Sequence, residues 1–186
     1  MVLFVNACVR GASRTRALAE YLLEKLEPPV REVRLGELSL PRVDERYLTL
    51  RDTLSARRDY AHPIFAYARD FVAADTVVIA APFWDLSFPA ALKQYLELIN
   101  VPGLAFVYTE EGLPRGLCQA KRLYYVTTAG GVIPPEDYGY GYVRALAEGF
   151  YQIPELRCIR AEGLDLPGAN VGAILRAAEK EIDALF

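Results

Sequence analysis

The chain has 186 residues, 53% hydrophobic and 24% charged, with a net charge of −3 and a pI near 5.3. That length suits one domain, residues 1–186, with a full core, and that balance excludes a disordered chain. The mild acidity leaves no electrostatic footprint for nucleic acid, and the longest apolar stretch, Val77 to Trp84, is far too short for a membrane span.

In chain order, Val2–Asn6 predicts a strand, and Leu18, Tyr21, Leu22 and Leu26 predict a helix after it. The loop between them is Val9-Arg10-Gly11-Ala12-Ser13-Arg14-Thr15. A strand, a glycine-bearing loop with hydroxyls and a helix N-terminus together form a phosphate cradle. The first N–H groups of a helix have no intrahelical acceptor, and the macrodipole adds about half a positive charge there. The loop is neither GxxxxGK[ST] nor GxGxxG, so it is not an obvious triphosphate or dinucleotide loop. A well-capped helix with Ser13 as N-cap is the plainer alternative.

Val30–Leu35 predicts the second strand. Leu40 to His62, polar and rich in Arg and Asp, predicts a surface excursion with a short helix. Ile64, Ala68, Phe71 and Val72 form a helical stripe, followed by a strand at Thr76–Ala80. A loop from Pro82 to Pro89 then leads into a helix from Ala90 to Ile99. Ala105–Val107, Leu123–Thr127 and Leu156–Ile159 complete the expected strands. Val143, Leu146, Ala147 and Phe150 mark one more helix, and Val171, Ile174, Leu175, Ala178, Ile182 and Leu185 mark the last. Several strands are continuous apolar runs, as expected for strands buried on both faces of a parallel sheet. The expected class is α/β, a doubly wound, five-stranded parallel sheet with helices on both faces.

In such folds ligands sit outside the carboxyl ends of the strands, where the strand order reverses. Three loops leave strong strands at that edge: the opening loop, Pro82-Phe83-Trp84-Asp85-Leu86-Ser87-Phe88-Pro89, and Thr127-Thr128-Ala129-Gly130-Gly131-Val132-Ile133-Pro134. The aromatics of the second suit a planar ring, although they could also plug the following helix. The glycine pair of the third frees backbone N–H groups, or makes a tight turn. Together the three describe a site for flavin mononucleotide. The only histidine is His62, which leaves no histidine-built metal site or triad, so no metal site is expected. No catalytic side chain is assigned, because the chemistry would come from the cofactor. Three widely spaced cysteines, Cys8, Cys118 and Cys158, argue against a disulfide framework and for a reducing, cytoplasmic location. The opening strand pattern shows no basic segment or cleavage site of a secretory signal.

Four segments in consistent order resemble the flavodoxin-like NAD(P)H:quinone oxidoreductases, most closely the bacterial FMN-dependent NADH:quinone reductases also called azoreductases. They are Ser13-Arg14-Thr15, the run Ala81 to Lys93, Phe106-Val107-Tyr108-Thr109-Glu110-Glu111-Gly112, and Thr127 to Gly131. The resemblance implies a flavodoxin-like fold and two-electron, ping-pong reduction of quinones and azo or nitroaromatic compounds by NADH or NADPH. Residue by residue, it implies FMN-phosphate binding by Ser13, Arg14 and Thr15, with Cys8 close by. Pro82, Phe83, Trp84, Asp85 and Leu86 would line the ring, and Thr128, Ala129, Gly130 and Gly131 its pyrimidine end. Backbone groups of Gly130 and Gly131, with Asp85, are the candidates for tuning the flavin. FMN is expected over FAD. Tyr108 and Phe106 resemble positions that reach a partner's flavin, which implies a homodimer with the site at the interface.

Two departures bear on chemistry. Cys8 stands where a serine is common, and a thiol is a weak donor. Asp85 stands where an amide is usual; either it points away from the ring or burial beside aromatics raises its pKa. Ile133, Pro134 and Pro135 follow the glycines where some relatives place a histidine, so acceptor preference does not transfer. The related alternatives are an NADPH-dependent FMN reductase, a flavodoxin-type electron carrier and a regulatory subunit. Arg10, Arg14 and Arg16 beside the phosphate loop count against a carrier, which needs an acidic docking surface.

Overall fold

The computed structural model describes residues 1–186. In chain order its elements are β1 (Val2–Asn6), α1 (Arg14–Leu23), β2 (Val30–Arg34), α2 (Glu45–Ala56), α3 (Ala66–Val72) and β3 (Thr76–Ala80). They continue with α4 (Ala90–Ile99), β4 (Phe106–Tyr108), β5 (Pro114–Gly116), β6 (Arg122–Thr128), α5 (Tyr140–Leu146), β7 (Glu155–Ala161) and α6 (Val171–Asp183). The main sheet has five strands in the order β2-β1-β3-β6-β7, and every neighbouring pair is parallel.

The continuous apolar runs of β1, β3 and β6 are explained by two cores, one on each face of the sheet. Alternate side chains point to opposite faces of a strand. Val2, Phe4, Val78, Ala80, Tyr124 and Val126 pack with Leu18 and Leu22 of α1 and with Ala178 and Ile182 of α6. Leu3, Val5, Val77, Ile79, Leu123 and Tyr125 pack on the other face, with Phe71 of α3, Leu92 and Leu96 of α4, and Val143 of α5. Each such fully buried aliphatic side chain contributes roughly 1.5–3 kcal/mol. The edge strands β2 and β7 are only partly buried, as their mixed sequences require.

The expected strand at Ala105–Val107 exists as β4 but lies outside the main sheet. It pairs antiparallel with β5 in a separate two-stranded ribbon. Gly103 and Gly112, both at positive φ, turn the chain on either side of β4 and keep it short. The polar segment before α3 contains α2, capped by Asp44, whose carboxylate accepts from Tyr47 N–H at 2.9 Å. Arg69 donates to the carbonyls of Tyr60 and His62 at 2.7 and 2.9 Å, and Gln94 to that of Pro41 at 2.9 Å. The excursion is thereby tied to the body of the molecule.

Chain order sets the position of the site. From β1 the chain moves outward to β2, then crosses back to β3 on the other side of β1. The reversal opens a crevice at the carboxyl ends of β1 and β3.

Candidate cofactor site

Hydrogen bonds continue the sheet ladder past the strand ends and gather the loops. Ala7 N–H donates to Ala80 C=O at 2.8 Å, Ala81 N–H to Val126 C=O at 3.0 Å, and Phe83 N–H to Thr128 C=O at 3.0 Å. Ala129 N–H donates to Ala161 C=O at 2.9 Å. Between the loops lies a cavity of about 420 Å³, lined by Val9, Arg10, Ala12, Ser13, Arg14, Thr15, Pro82, Phe83, Trp84, Thr128, Ala129, Gly130, Leu164 and Asp165.

The wall nearest α1 is built for an anion. Ser13 is the N-cap, its hydroxyl oxygen accepting from Arg16 N–H at 3.2 Å. Cys8 N–H is held by the Asn6 side chain at 3.0 Å. From Val9 to Thr15, by contrast, no backbone N–H finds an acceptor anywhere in the chain. A run of open N–H groups curling into a helix N-terminus is an anion-binding concavity, and the guanidiniums of Arg10 and Arg14 border it. Thr15, 1% exposed, shares a 2.7 Å hydrogen bond with Thr128, 8% exposed, which ties the first loop to the third.

The opposite wall carries Phe83 and Trp84. Trp84 and Ser87 bond reciprocally at 3.1 and 2.7 Å, closing a tight turn whose two inner residues, Asp85 and Leu86, are left-handed at φ 49° and 65°. Non-glycine residues in that region carry strain of about 1–3 kcal/mol each. The turn points both side chains outward: Asp85 and Leu86 are exposed and do not line the cavity. Asp85 is thus exposed at the tip of its turn and not buried beside the aromatics. Ser87 Oγ donates to Tyr138 C=O at 3.0 Å, which links the second loop to the segment beyond Gly131.

Among the expected residues, then, Ser13, Arg14, Thr15, Pro82, Phe83, Trp84, Thr128, Ala129 and Gly130 meet in one cavity, whereas Cys8, Asp85, Leu86 and Gly131 stay outside its lining. Cys8 faces an adjoining small cleft with Asn6, Arg16, Arg34 and Glu37. Burial pushes its thiol pKa up, against a hydrogen bond with Ser13 and the nearby Arg16 charge. His62 caps the turn at Pro63–Phe65 by accepting from Ile64 N–H at 3.3 Å, and takes no part in the cavity.

A fourth loop was not foreseen. Leaving β7, Gly163, Leu164 and Asp165 donate N–H bonds to the carbonyls of Gly131, Ala129 and Gly130 at 2.8, 3.1 and 2.9 Å. Asp165 pairs with Arg14 across the cavity, Nη1 to Oδ1 at 2.9 Å. Gly130 leaves room for this carboxylate: a Cβ on it would lie 2.4 Å from Asp165 Oδ2, so a larger residue would push the Asp165 side chain aside. The available signal was positional: Gly163-Leu164-Asp165 also leaves the carboxyl end of a parallel strand.

These residues fit FMN. The open N–H run and its arginines match a phosphate, the exposed faces of Phe83 and Trp84 match a planar ring, and polar groups from Thr128 to Gly130 lie between.

Known proteins agree with this geometry. The model of a family described by its flavodoxin-like fold, Flavodoxin_2, matches residues 1–186. An FMN-dependent NADH:quinone oxidoreductase of Clostridium beijerinckii is 35% identical over 180 residues, covering 93% of this chain and 90% of the relative. An azoreductase structure from Bacillus anthracis superposes with a TM-score of 0.83 at 25% identity, covering 99% of this chain and 97% of the other. A second from that organism, an FMN-dependent NADH-azoreductase in complex with FMN, superposes with a TM-score of 0.82 at 21% identity, covering 99% and 96%, and shares the fold.

Proposed function

Because the chain belongs to the flavodoxin-like fold family, we propose that it is an FMN-dependent NAD(P)H oxidoreductase that reduces quinones and azo or nitroaromatic compounds by two electrons. The observation that carries this reading is the open N–H run from Val9 to Thr15, set in one cavity with Phe83 and Trp84. The name of the Clostridium beijerinckii relative supports the cofactor, the donor and the quinone, and the Bacillus anthracis azoreductase supports the azo acceptor. FMN held there would supply the two-electron redox chemistry linking a nicotinamide donor to the acceptor, with ping-pong order as part of this reading.

The chain's own residues bind and orient. Ser13, Arg14, Thr15 and the open N–H groups would hold the phosphate, with the dipole of α1 adding to the attraction. Pro82, Phe83 and Trp84 would press on the ring, and backbone groups of Thr128, Ala129, Gly130 and Gly131 would lie along its polar edge. N–H groups fixed there favour negative charge at that edge without reorganising. Cys8 is next to the phosphate loop in sequence and lines the adjoining cleft. Asp85 and Leu86 are exposed beyond Trp84, outside the cavity lining.

The reading extends to a cytoplasmic homodimer of single-domain subunits, with the flavin site at the interface. The exposed Tyr108 and Leu113 on the β4–β5 ribbon, and the exposed Trp84 and Leu86 beside the cavity, support such a contact. Three unpaired cysteines support the reducing compartment.

The test is reconstitution with FMN followed by removal of free flavin. A retained visible flavin band, bleached anaerobically by NADH or NADPH and restored by a quinone, is the expected result. Bound flavin that no nicotinamide bleaches would refute the enzyme. Light scattering, read against the 20.7 kDa chain, tests the dimer.

A further inference from the structure

The cavity contains an acid where its proposed ligand is an anion. Its cationic lining residues are Arg10 and Arg14, and its one acidic lining residue is Asp165. The carboxylate is bound to Arg14 itself, the residue at the first helical position of α1, next to the open N–H run. Resting on the flavin reading above, we propose that Asp165 is a built-in anion that holds Arg14 until a ligand phosphate takes it. Asp165 thereby sets how strongly the cavity favours phosphate-bearing over phosphate-free flavins.

Three features fit that role. The backbone beneath Asp165 is fixed, because its own N–H and those of Gly163 and Leu164 are bonded to the third loop. Its carboxylate is not fixed: its only side-chain hydrogen bond is the one from Arg14, and both side chains are substantially exposed, 44% for Arg14 and 68% for Asp165. An ion pair of that kind exchanges partners readily, since water competes for both groups. Finally, Gly130 leaves open the space that Asp165 Oδ2 occupies. The carboxylate is thus seated over the third loop, from which it can swing outward without disturbing the main chain.

The charge consequence is direct. Two guanidiniums face one carboxylate, so an approaching phosphate meets Arg14 already neutralised. Entry of the phosphate either displaces Asp165 or leaves it as a nearby like charge; both outcomes cost affinity that a neutral amide at this position would not. A flavin without the phosphate experiences neither effect. Asp165 therefore lowers affinity selectively for the phosphate-bearing ligand and keeps it exchangeable.

The experiment titrates FMN and riboflavin into the flavin-free full chain, wild type and Asp165→Asn, following flavin fluorescence. Asp165→Asn is expected to tighten FMN by about three- to fivefold, with riboflavin changed by less than about 1.5-fold. The FMN gain should shrink in high salt and vanish in Arg14→Gln/Asp165→Asn. Thermal unfolding of the flavin-free variant should stay within about 2 °C of wild type, since an exposed pair contributes little. An equal change for both flavins would overturn the proposal, because Asp165 would then act on the ring or the polyol. So would an FMN affinity that does not move. If wild type binds neither flavin, the cofactor reading fails by itself. Inorganic phosphate, scored by its thermal stabilisation of each chain, then decides the Arg14–Asp165 exchange: greater stabilisation of Asp165→Asn supports it and equal stabilisation refutes it.

Discussion

Replacing Thr15 by valine tests the junction on which the cavity depends. The change is nearly isosteric and keeps a β-branched residue in the first turn of α1, but it removes one partner of the 2.7 Å bond to Thr128. Thr128 is left with a hydroxyl that has no protein partner at a site 8% exposed. A buried polar group so orphaned costs about 1–3 kcal/mol. Thr128 borders the cavity, so water recovers part of this and about 1–2 kcal/mol is expected. For a chain of this size that corresponds to a fall in Tm of about 2–8 °C. Thr128→Val should cost a similar amount, for the mirror-image reason. The double variant removes both hydroxyls and leaves nothing unsatisfied, so it should be less destabilised than the sum of the singles by about 1 kcal/mol or more. Urea unfolding followed by far-ultraviolet circular dichroism measures all four corners of the cycle. Strict additivity would refute the reasoning, since the two hydroxyls would then be acting independently and the first and third loops would not be coupled through them.

Ser13→Ala removes the N-cap of α1 and should destabilise the chain by about 1 kcal/mol in the same unfolding assay. It should also weaken FMN more than riboflavin. Gly116→Ala places a Cβ 2.2 Å from the Tyr151 carbonyl oxygen, a backbone atom that cannot step aside, so a loss of about 1–3 kcal/mol is expected from thermal melts. Asp85→Asn should leave the reduction potential of bound flavin unchanged, because Asp85 is exposed at the tip of its turn; a raised potential in spectroelectrochemistry would mean that the carboxylate faces the ring. Burial pushes the thiols of Cys118 and Cys158 up to about 12 and about 11, so a thiol-titrating disulfide reagent should react with them slowly in the native chain at pH 8 and quickly in urea. Folding here favours the protonated form. The contribution of these thiols to stability is complete below the unfolded thiol pKa of about 8.5 and is lost as pH rises towards the folded values.

The three central strands of the main sheet could be read from sequence because buried parallel strands must be apolar on both faces, and Val2–Asn6, Thr76–Ala80 and Leu123–Thr127 are. β5 could not, because Pro114, Arg115 and Gly116 have low strand propensity and are held in the ribbon by pairing with β4 and by Gln152 Oε1, which accepts from Gly116 N–H at 3.1 Å. The helical stripe ending at Phe150 was legible, but the wider π-helical turn at Ala147–Tyr151 has no periodic signature. In the site, the residue types of the first three loops were informative: hydroxyls, arginine, aromatics and glycines each suit one part of a ligand. The orientation of Asp85 and Leu86 was not legible. It depends on two successive left-handed residues, and although aspartate suits the first position of such a turn, leucine stands at the second, where glycine is usual.

Asp165 was hidden for another reason, and that reason bears on how the cavity works. Nothing in Gly163-Leu164-Asp165 distinguishes it from an ordinary turn, and Arg14 and Asp165 are separated by most of the chain. Their meeting depends on β7 lying beside β6 in register, with Ala129 N–H bonded to Ala161 C=O, so that the loop leaving β7 closes over the loop leaving β6. The sheet therefore does more than present three loops to a ligand. By fixing the fourth loop through its backbone bonds, the buried Leu164 side chain and the Glu162 carboxylate, which accepts from Ile133 N–H at 2.8 Å, it leaves the Asp165 side chain free to pair with Arg14 and free to release it. A carboxylate belonging to the scaffold would be bonded from several sides. This one is bonded only to the residue for which a phosphate would compete, which makes the pair a property of the ligand-free state and not a support of the fold.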